Sequence, residues 1–148
     1  MTRITAPHQL TKSRILVDTD VVSYIFKRDT LAKYFRPFLL HRTLAIAFVS
    51  VTQLYYGAFK ANWGVGRLNQ LENHIKNYVV LPYDFLLCQK CAQLRVKCES
   101  EGYRIEFADA WIGASALRFD CALATNNTRH FINIDGIELI SPGFDSLL

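Results

Sequence analysis

No uninterrupted apolar run in this chain approaches the ~18 residues that a membrane-crossing helix needs. The first residues, Met1-Thr2-Arg3-Ile4-Thr5-Ala6-Pro7-His8, lack the apolar centre of a secretory signal. We therefore expect a cytoplasmic protein with no membrane association, and read residues 1–13 as a flexible tail. Internal repeats and low-complexity linkers are also missing, so residues 14–148 are expected to form one domain. Cysteine is sparse. Cys88 and Cys91 form a C-x-x-C, with Cys98 and Cys121 further on, but no second close pair of Cys or His completes a zinc site. Free buried thiols, three of them along one helix, are the expectation, and reduced thiols fit a cytoplasmic home. Acidic residues are few: 13 Asp and Glu against 17 Lys and Arg give a formal net charge of +4. That balance permits an anionic partner without requiring one.

What is present is a globular composition, 51% hydrophobic and 20% charged over 148 residues. Ile15, Leu16 and Val17 form a continuous apolar run, the pattern of a central strand covered on both faces. It ends on Asp18-Thr19-Asp20, and a helix over Val21 to Lys27 follows at once, with Asp20 able to cap it. A helical pattern from Thr30 to Leu40 must kink or break at Pro37. Thr43 to Ser50 reads as a second buried strand, Val51 to Lys60 and Arg67 to Asn77 as helices, and Tyr78 to Leu81 as a third strand. Asp84 to Gly102 is the longest helix, closing on Gly102. Phe107 to Phe119 is a helix rich in small residues, and Cys121–Thr125 and Ile137–Ile140 complete the strands. Strands alternating with helices predict an α/β fold: a three-layer α/β/α sandwich around a mainly parallel sheet of about five strands.

Ligands gather at the carboxyl ends of strands in such sheets. Asp18 stands at one of those ends. Gln53, Asp109 and Asn127 are each polar and lie just after a strand or in a helix's first turn, so all should approach the same edge. An oxygen-rich cluster of this kind suits Mg²⁺ or Mn²⁺. Taken singly, Asp18 and Asp109 could equally cap or complement a helix N-terminus. Glu106 is an auxiliary ligand or a capping residue. Asp18-Thr19-Asp20 also resembles the D-x-D opening of haloacid-dehalogenase-type phosphatases. Their chemistry needs a lysine and further acids near the end of the chain, where Thr125-Asn126-Asn127 stands instead.

Four blocks together resemble PIN-domain nucleases, especially VapC-type toxins of bacterial toxin–antitoxin pairs. They are Ile15–Val21, Val51–Ala58, Ala108–Leu117 and Ala124–Phe131, in the family's order and spanning nearly the whole chain. The resemblance implies a Mg²⁺- or Mn²⁺-dependent endoribonuclease, with Asp18 and Asp109 as metal ligands. It implies that Thr125 orients a carboxylate or substrate, and that Asn127 sits where the last and more variable acid falls. Gln53 departs from the pattern, because the family usually has Glu there. Two amides in place of two acids would weaken metal binding, leaving either an impaired nuclease or a PIN-fold protein that binds RNA or antitoxin without cutting. Arg129 and His130 could hold the RNA backbone. Lys60, Arg67 and Lys76 could extend that track or be ordinary solvated residues. Trp63 or Tyr56 could stack on a base, although burial would explain both. The resemblance further implies a small cognate antitoxin and a homodimer. Tyr34, Phe35 and Phe38 could line an apolar groove or simply pack in the core.

Overall fold

A computed structural model describes residues 2–142; Met1 and residues 143–148, the end of the expected domain, lie outside the described residues. Along the chain run β1 (Arg3–Ile4), β2 (Arg14–Val17), α1 (Thr19–Phe26), α2 (Ala32–Leu39), β3 (Thr43–Ala47) and α3 (Phe48–Lys60). They are followed by α4 (Val65–Ile75), β4 (Val79–Leu81), α5 (Phe85–Ser100), α6 (Phe107–Arg118), β5 (Ala122–Ala124) and β6 (Glu138–Ile140). The described strands form one sheet in the order β1-β6-β5-β2-β3-β4, every pair parallel.

Alternation along the buried strands makes the three layers. Ile15, Val17, Ile46, Ala122 and Ala124 point to one face and pack against Val21, Val22, Phe35 and Phe38 of α1 and α2. Leu16, Ala45, Ala47 and Leu123 point to the other face, beneath α5 and α6. Both faces are dry, which is why β2 reads as an unbroken apolar run rather than an alternating one. Phe35 and Phe38 are therefore core residues, and only Tyr34 of that trio reaches solvent. A third cluster, Ala58, Leu71 and Ile75 with Phe26 and Trp63 against it, ties α4 to α1 and α3.

Several expectations are corrected. The sheet has six strands because part of the expected tail pairs with the outer edge of β6. The amides of Arg3 and Thr5 donate to the carbonyls of Ile137 and Leu139 at 3.1 and 2.9 Å. An unpaired edge offers those carbonyls to any extended segment nearby. β3 stops at Ala47, so Phe48–Ser50, read as strand, is the first turn of α3. Pro37 does not divide α2: the helix starts only at Ala32 and ends two residues beyond the proline, so little ladder remains to break. The cap of α1 is Asp18 and not Asp20. Gly102 follows α5 at φ +83°, the left-handed position that favours glycine.

The four cysteines are free; Cys91, Cys98 and Cys121 are buried, and burial raises their thiol pKa values. The small residues of α6 let it lie close to its neighbours. A Cβ on Gly113 would come within 2.6 Å of Ile134 Cδ1, with Leu94 and Phe131 close behind. Gly113→Leu should therefore cost about 2–3 kcal/mol through overpacking. Urea titration of the two proteins measures it; a variant as stable as the parent would contradict this packing.

Candidate functional site

The site begins where β2 runs out. The Asp18 amide continues the sheet ladder by donating to the Ala124 carbonyl at 2.9 Å. Its backbone is extended, so its side chain can turn back onto the N-terminus of α1. Asp18 Oδ1 accepts from the Thr19 amide at 2.7 Å, and Oδ2 accepts from the Thr125 hydroxyl at 2.7 Å. Thr125 is fully buried and its own amide donates to the Ile140 carbonyl, so it holds Asp18 from a rigid strand end. Only 5% of Asp18 is exposed. Burial first, and then the neighbouring charge of Asp20, push its carboxyl up to about 7, against the opposing pull of the Thr125 and Thr19 hydrogen bonds.

Asp20 is not a simple cap. Oδ1 accepts from the Val21 amide at 2.7 Å, whereas Oδ2 accepts from the Asn126 amide and from Asn127 Nδ2, both at 3.1 Å. It therefore clasps the loop after β5 to the start of α1. Asn127 is positioned twice over, since its amide also donates to Thr125 Oγ1 at 3.0 Å. Burial raises the Asp20 carboxyl above the usual range.

Asp109 approaches from the first turn of α6, with Oδ2 3.1 Å from His130 Nδ1. Burial raises its carboxyl, and His130 partly offsets the rise. Glu106 occupies the N-cap position of α6 but makes no side-chain capping bond, and it faces the cleft. Gln53, on α3, lies with Oε1 2.5 Å from Thr19 Oγ1, which is itself 2.8 Å from Ser50 Oγ. Thr19 has one proton to give. Donated to Gln53, it leaves the Thr19 oxygen free to accept from the buried Ser50.

Asp18, Gln53, Asp109, Asn127 and His130 thus line one cleft of about 790 Å³ at the carboxyl end of the sheet. This is where the strand order reverses direction around β2, the place ligands occupy in open α/β sheets. Thr125 lies beneath it as a support. Arg129 is elsewhere: it opens onto an adjoining recess of about 350 Å³, reached through Glu106, Asp109 and His130. Lys76 pairs with Glu72 on the α4 surface, and Lys60 lies over the Tyr56 ring. Tyr56 is 66% exposed, so burial does not explain it. Sequence reasoning missed Thr19 and Ser50; a hydroxyl between two acids was the available signal for the first.

Among the described residues, no three His, Cys, Asp or Glu side chains close round an ion as a ready-made cage. The acids form an open set instead. The Asp20 and Asp109 charges both raise Asp18, and Asp109 also raises Asp20. Such mutual repulsion is what a bound cation relieves. Mg²⁺ keeps several waters and takes only one or two carboxylates besides substrate phosphate, so an open set fits it.

Comparison with known proteins gives one consistent result. Residues 15–137 match the PIN domain family. The tRNA(fMet)-specific endonuclease VapC of Shigella flexneri is 25% identical over 124 residues, covering 84% of this chain and 94% of that protein. Ribonuclease VapC2 of Haemophilus influenzae is 25% identical over 118 residues, covering 80% and 89%. Among solved structures, VapBC2 from Rickettsia felis bound to a promoter DNA fragment superposes with a TM-score of 0.76 at 22% identity, over 85% of this chain and 96% of that one. VapBC-1 from nontypeable Haemophilus influenzae gives 0.76 at 21% identity, over 88% and 98%.

Proposed function

This chain belongs to the PIN domain family, and we propose that it is a metal-dependent endoribonuclease acting as the toxin of a toxin–antitoxin pair. One observation carries the proposal: Asp18, Asp20 and Asp109 meet in one cleft with their carboxyls raised by burial. Paired structural acids on a surface would be solvated and left near their ordinary values. Raised, clustered acids in a cleft mark a working site. RNA, rather than another phosphodiester, follows from the curated relatives, which are ribonucleases.

Asp18 and Asp109 would hold Mg²⁺ or Mn²⁺. The bound ion would supply an acidified water and a polarised phosphate for hydrolysis. The chain's own residues do the rest. Thr125 and the Thr19 amide fix both oxygens of Asp18, so its carboxylate enters the cleft in one orientation. Asp109, steadied by His130 at Oδ2, would serve as the second ligand or as the base that receives the proton of the attacking water. Asn127, whose backbone amide donates to Thr125 Oγ1 and whose Nδ2 donates to Asp20 Oδ2, is held in the cleft lining beside the acids.

Gln53 supports a second reading, a PIN-fold protein that binds RNA without cutting it. Incubating a labelled RNA with the chain and Mn²⁺ or Mg²⁺ separates the two. Cleavage that EDTA abolishes is expected; retention of intact RNA on a filter would favour the binder. Thr125→Ala should slow cleavage about 10- to 100-fold, because a hydrogen bond to a carboxylate is worth roughly 1.5–3 kcal/mol. Thr125→Ser should restore it, and equal rates in all three would remove Thr125 from the site.

The proposed partners are a small cognate antitoxin and a second copy of the chain. Exposed Tyr56, which lines the cleft, offers an apolar contact to the first. Among the described residues no helix is long and apolar enough to cross a membrane. An RNA substrate would place the work in the cytoplasm.

A further inference from the structure

We propose that a basic recess beside the acid cleft is a second RNA subsite, taking the phosphate and base of a nucleotide that flanks the scissile bond. The inference rests on the nuclease reading. The recess measures about 600 Å³ and is lined by Lys27, Arg28, Arg67 and His74 among others, with no acidic residue. It shares Phe26 and Lys27 with the acid cleft, so a strand can run from one into the other. Among the described residues, none of Lys27, Arg28 and Arg67 forms an ion pair.

One of these cations stands where the helix dipole would not put it. Arg67 lies in the first turn of α4, the positive end of the helix dipole, which disfavours a cation. Aromatic rings offset this: its guanidinium carbon lies 4.2 Å from the Trp63 ring centre and 5.6 Å from that of Phe26. The fork of donors is left without an acceptor, in a shape that matches phosphate. Arg28 adopts φ +55°, directly after the C-cap of α1, where glycine is the comfortable residue. Lys27 and Arg28 close the C-terminal end of α1, where the helix dipole favours cations.

Planar and charged elements alternate here as they do along single-stranded RNA. Phe26, shared by recess and cleft, and Trp63 on the cleft side, inclined 34° to it with Arg67 over its ring, offer a base an aromatic surface where the two meet, and the three cations offer its phosphates partners. An acidic peptide would use the charges and leave the platform idle. His74 contributes polarity without charge, since burial lowers its pKa and its ring meets the Tyr78 hydroxyl at 3.2 Å.

The test measures binding of a fluorescent ten-nucleotide single-stranded RNA by anisotropy across a salt series, with cleavage kinetics beside it. Arg67→Ala and Arg28→Gly should each weaken binding about tenfold and reduce the salt slope by roughly 0.7. Their kinetic loss should fall on KM rather than kcat. Arg67→Lys, which keeps the charge and loses the stack, should lie between. Arg28→Gly also guards against misfolding as an explanation, because relief of the left-handed backbone should raise its melting temperature. Parental affinity and salt slope in both variants, with RNA still cleaved, would overturn the subsite and leave the nuclease standing. RNA neither bound nor cleaved by the parent would overturn both. RNA bound but not cleaved, with weakened variants, would keep the subsite and remove the nuclease.

Discussion

Asp18→Asn is expected to reduce RNA cleavage by about 10³-fold or more and, in metal-free buffer at pH 8, to melt at a higher temperature than the parent. Both effects come from one cause. The Asp18 carboxyl is raised from 3.8 to about 7, chiefly by burial and then by Asp20. The folded state therefore binds that proton more tightly than the unfolded state. Its contribution is complete below pH 3.8 and is lost as pH rises through about 7. A rise of that size is worth at most about 4 kcal/mol. Asparagine removes the charge, but it leaves the Thr125 hydroxyl without its carboxylate acceptor, a cost of about 1–3 kcal/mol. The net gain at pH 8 should be about 1–3 kcal/mol, with the parent's stabilisation between pH 8 and pH 5 largely flattened. Melting curves at the two pH values with EDTA present measure this. A parent whose stability does not rise on acidification would refute the account of Asp18, and cleavage within about tenfold of the parent would refute its role. The stability that Asp18 gives up at neutral pH is the counterpart of the cation-holding role proposed for it.

Gln53→Glu should raise the cleavage rate about tenfold or more and tighten Mn²⁺ binding in calorimetry. Gln53 already reaches the cleft, with Oε1 beside the Thr19 hydroxyl. Glutamate keeps that oxygen and the Thr19 hydrogen bond while adding a full negative charge to a set of acids. Without metal, the added repulsion should lower the melting temperature; with Mn²⁺, the rise on saturation should exceed that of the parent. Equal rates and equal metal affinity would show that the amide is no handicap and that the other residues suffice.

Much of this architecture was legible along the chain because burial writes itself into hydrophobic pattern. β2 is buried on both faces, so Ile15-Leu16-Val17 could be read as a central strand. The glycine that ends α5 was legible for a local reason, although the C-cap itself is Glu101 and Gly102 follows it: only glycine sits easily at φ +83°. β1 was not. Two residues, Arg3 and Ile4, carry no periodicity, and they become a strand only because β6, over a hundred residues later, leaves its edge open. The start of α3 at Phe48 was hidden likewise, since Phe48-Val49-Ser50 is as suited to strand as to helix.

At the candidate site, the sequence by itself determined which residue types would stand at the ends of β2, β3 and β5, and hence that Asp18, Gln53 and Asn127 would share an edge with Asp109. Sheet topology is local enough for that. The exchange of roles between the two acids of Asp18-Thr19-Asp20 was decided only by tertiary structure. Asp18 becomes the cap because Thr125 pins its second oxygen, and Asp20 becomes a clasp because Asn126 and Asn127 arrive from the far side of β2. Tertiary structure likewise moved Arg129 out of the main cleft and brought Arg67 beside Phe26 and Trp63. A charge's neighbours set its pKa and its use, and the deciding ones here, Thr125 for Asp18 and Phe26 for Arg67, lie far from it along the chain.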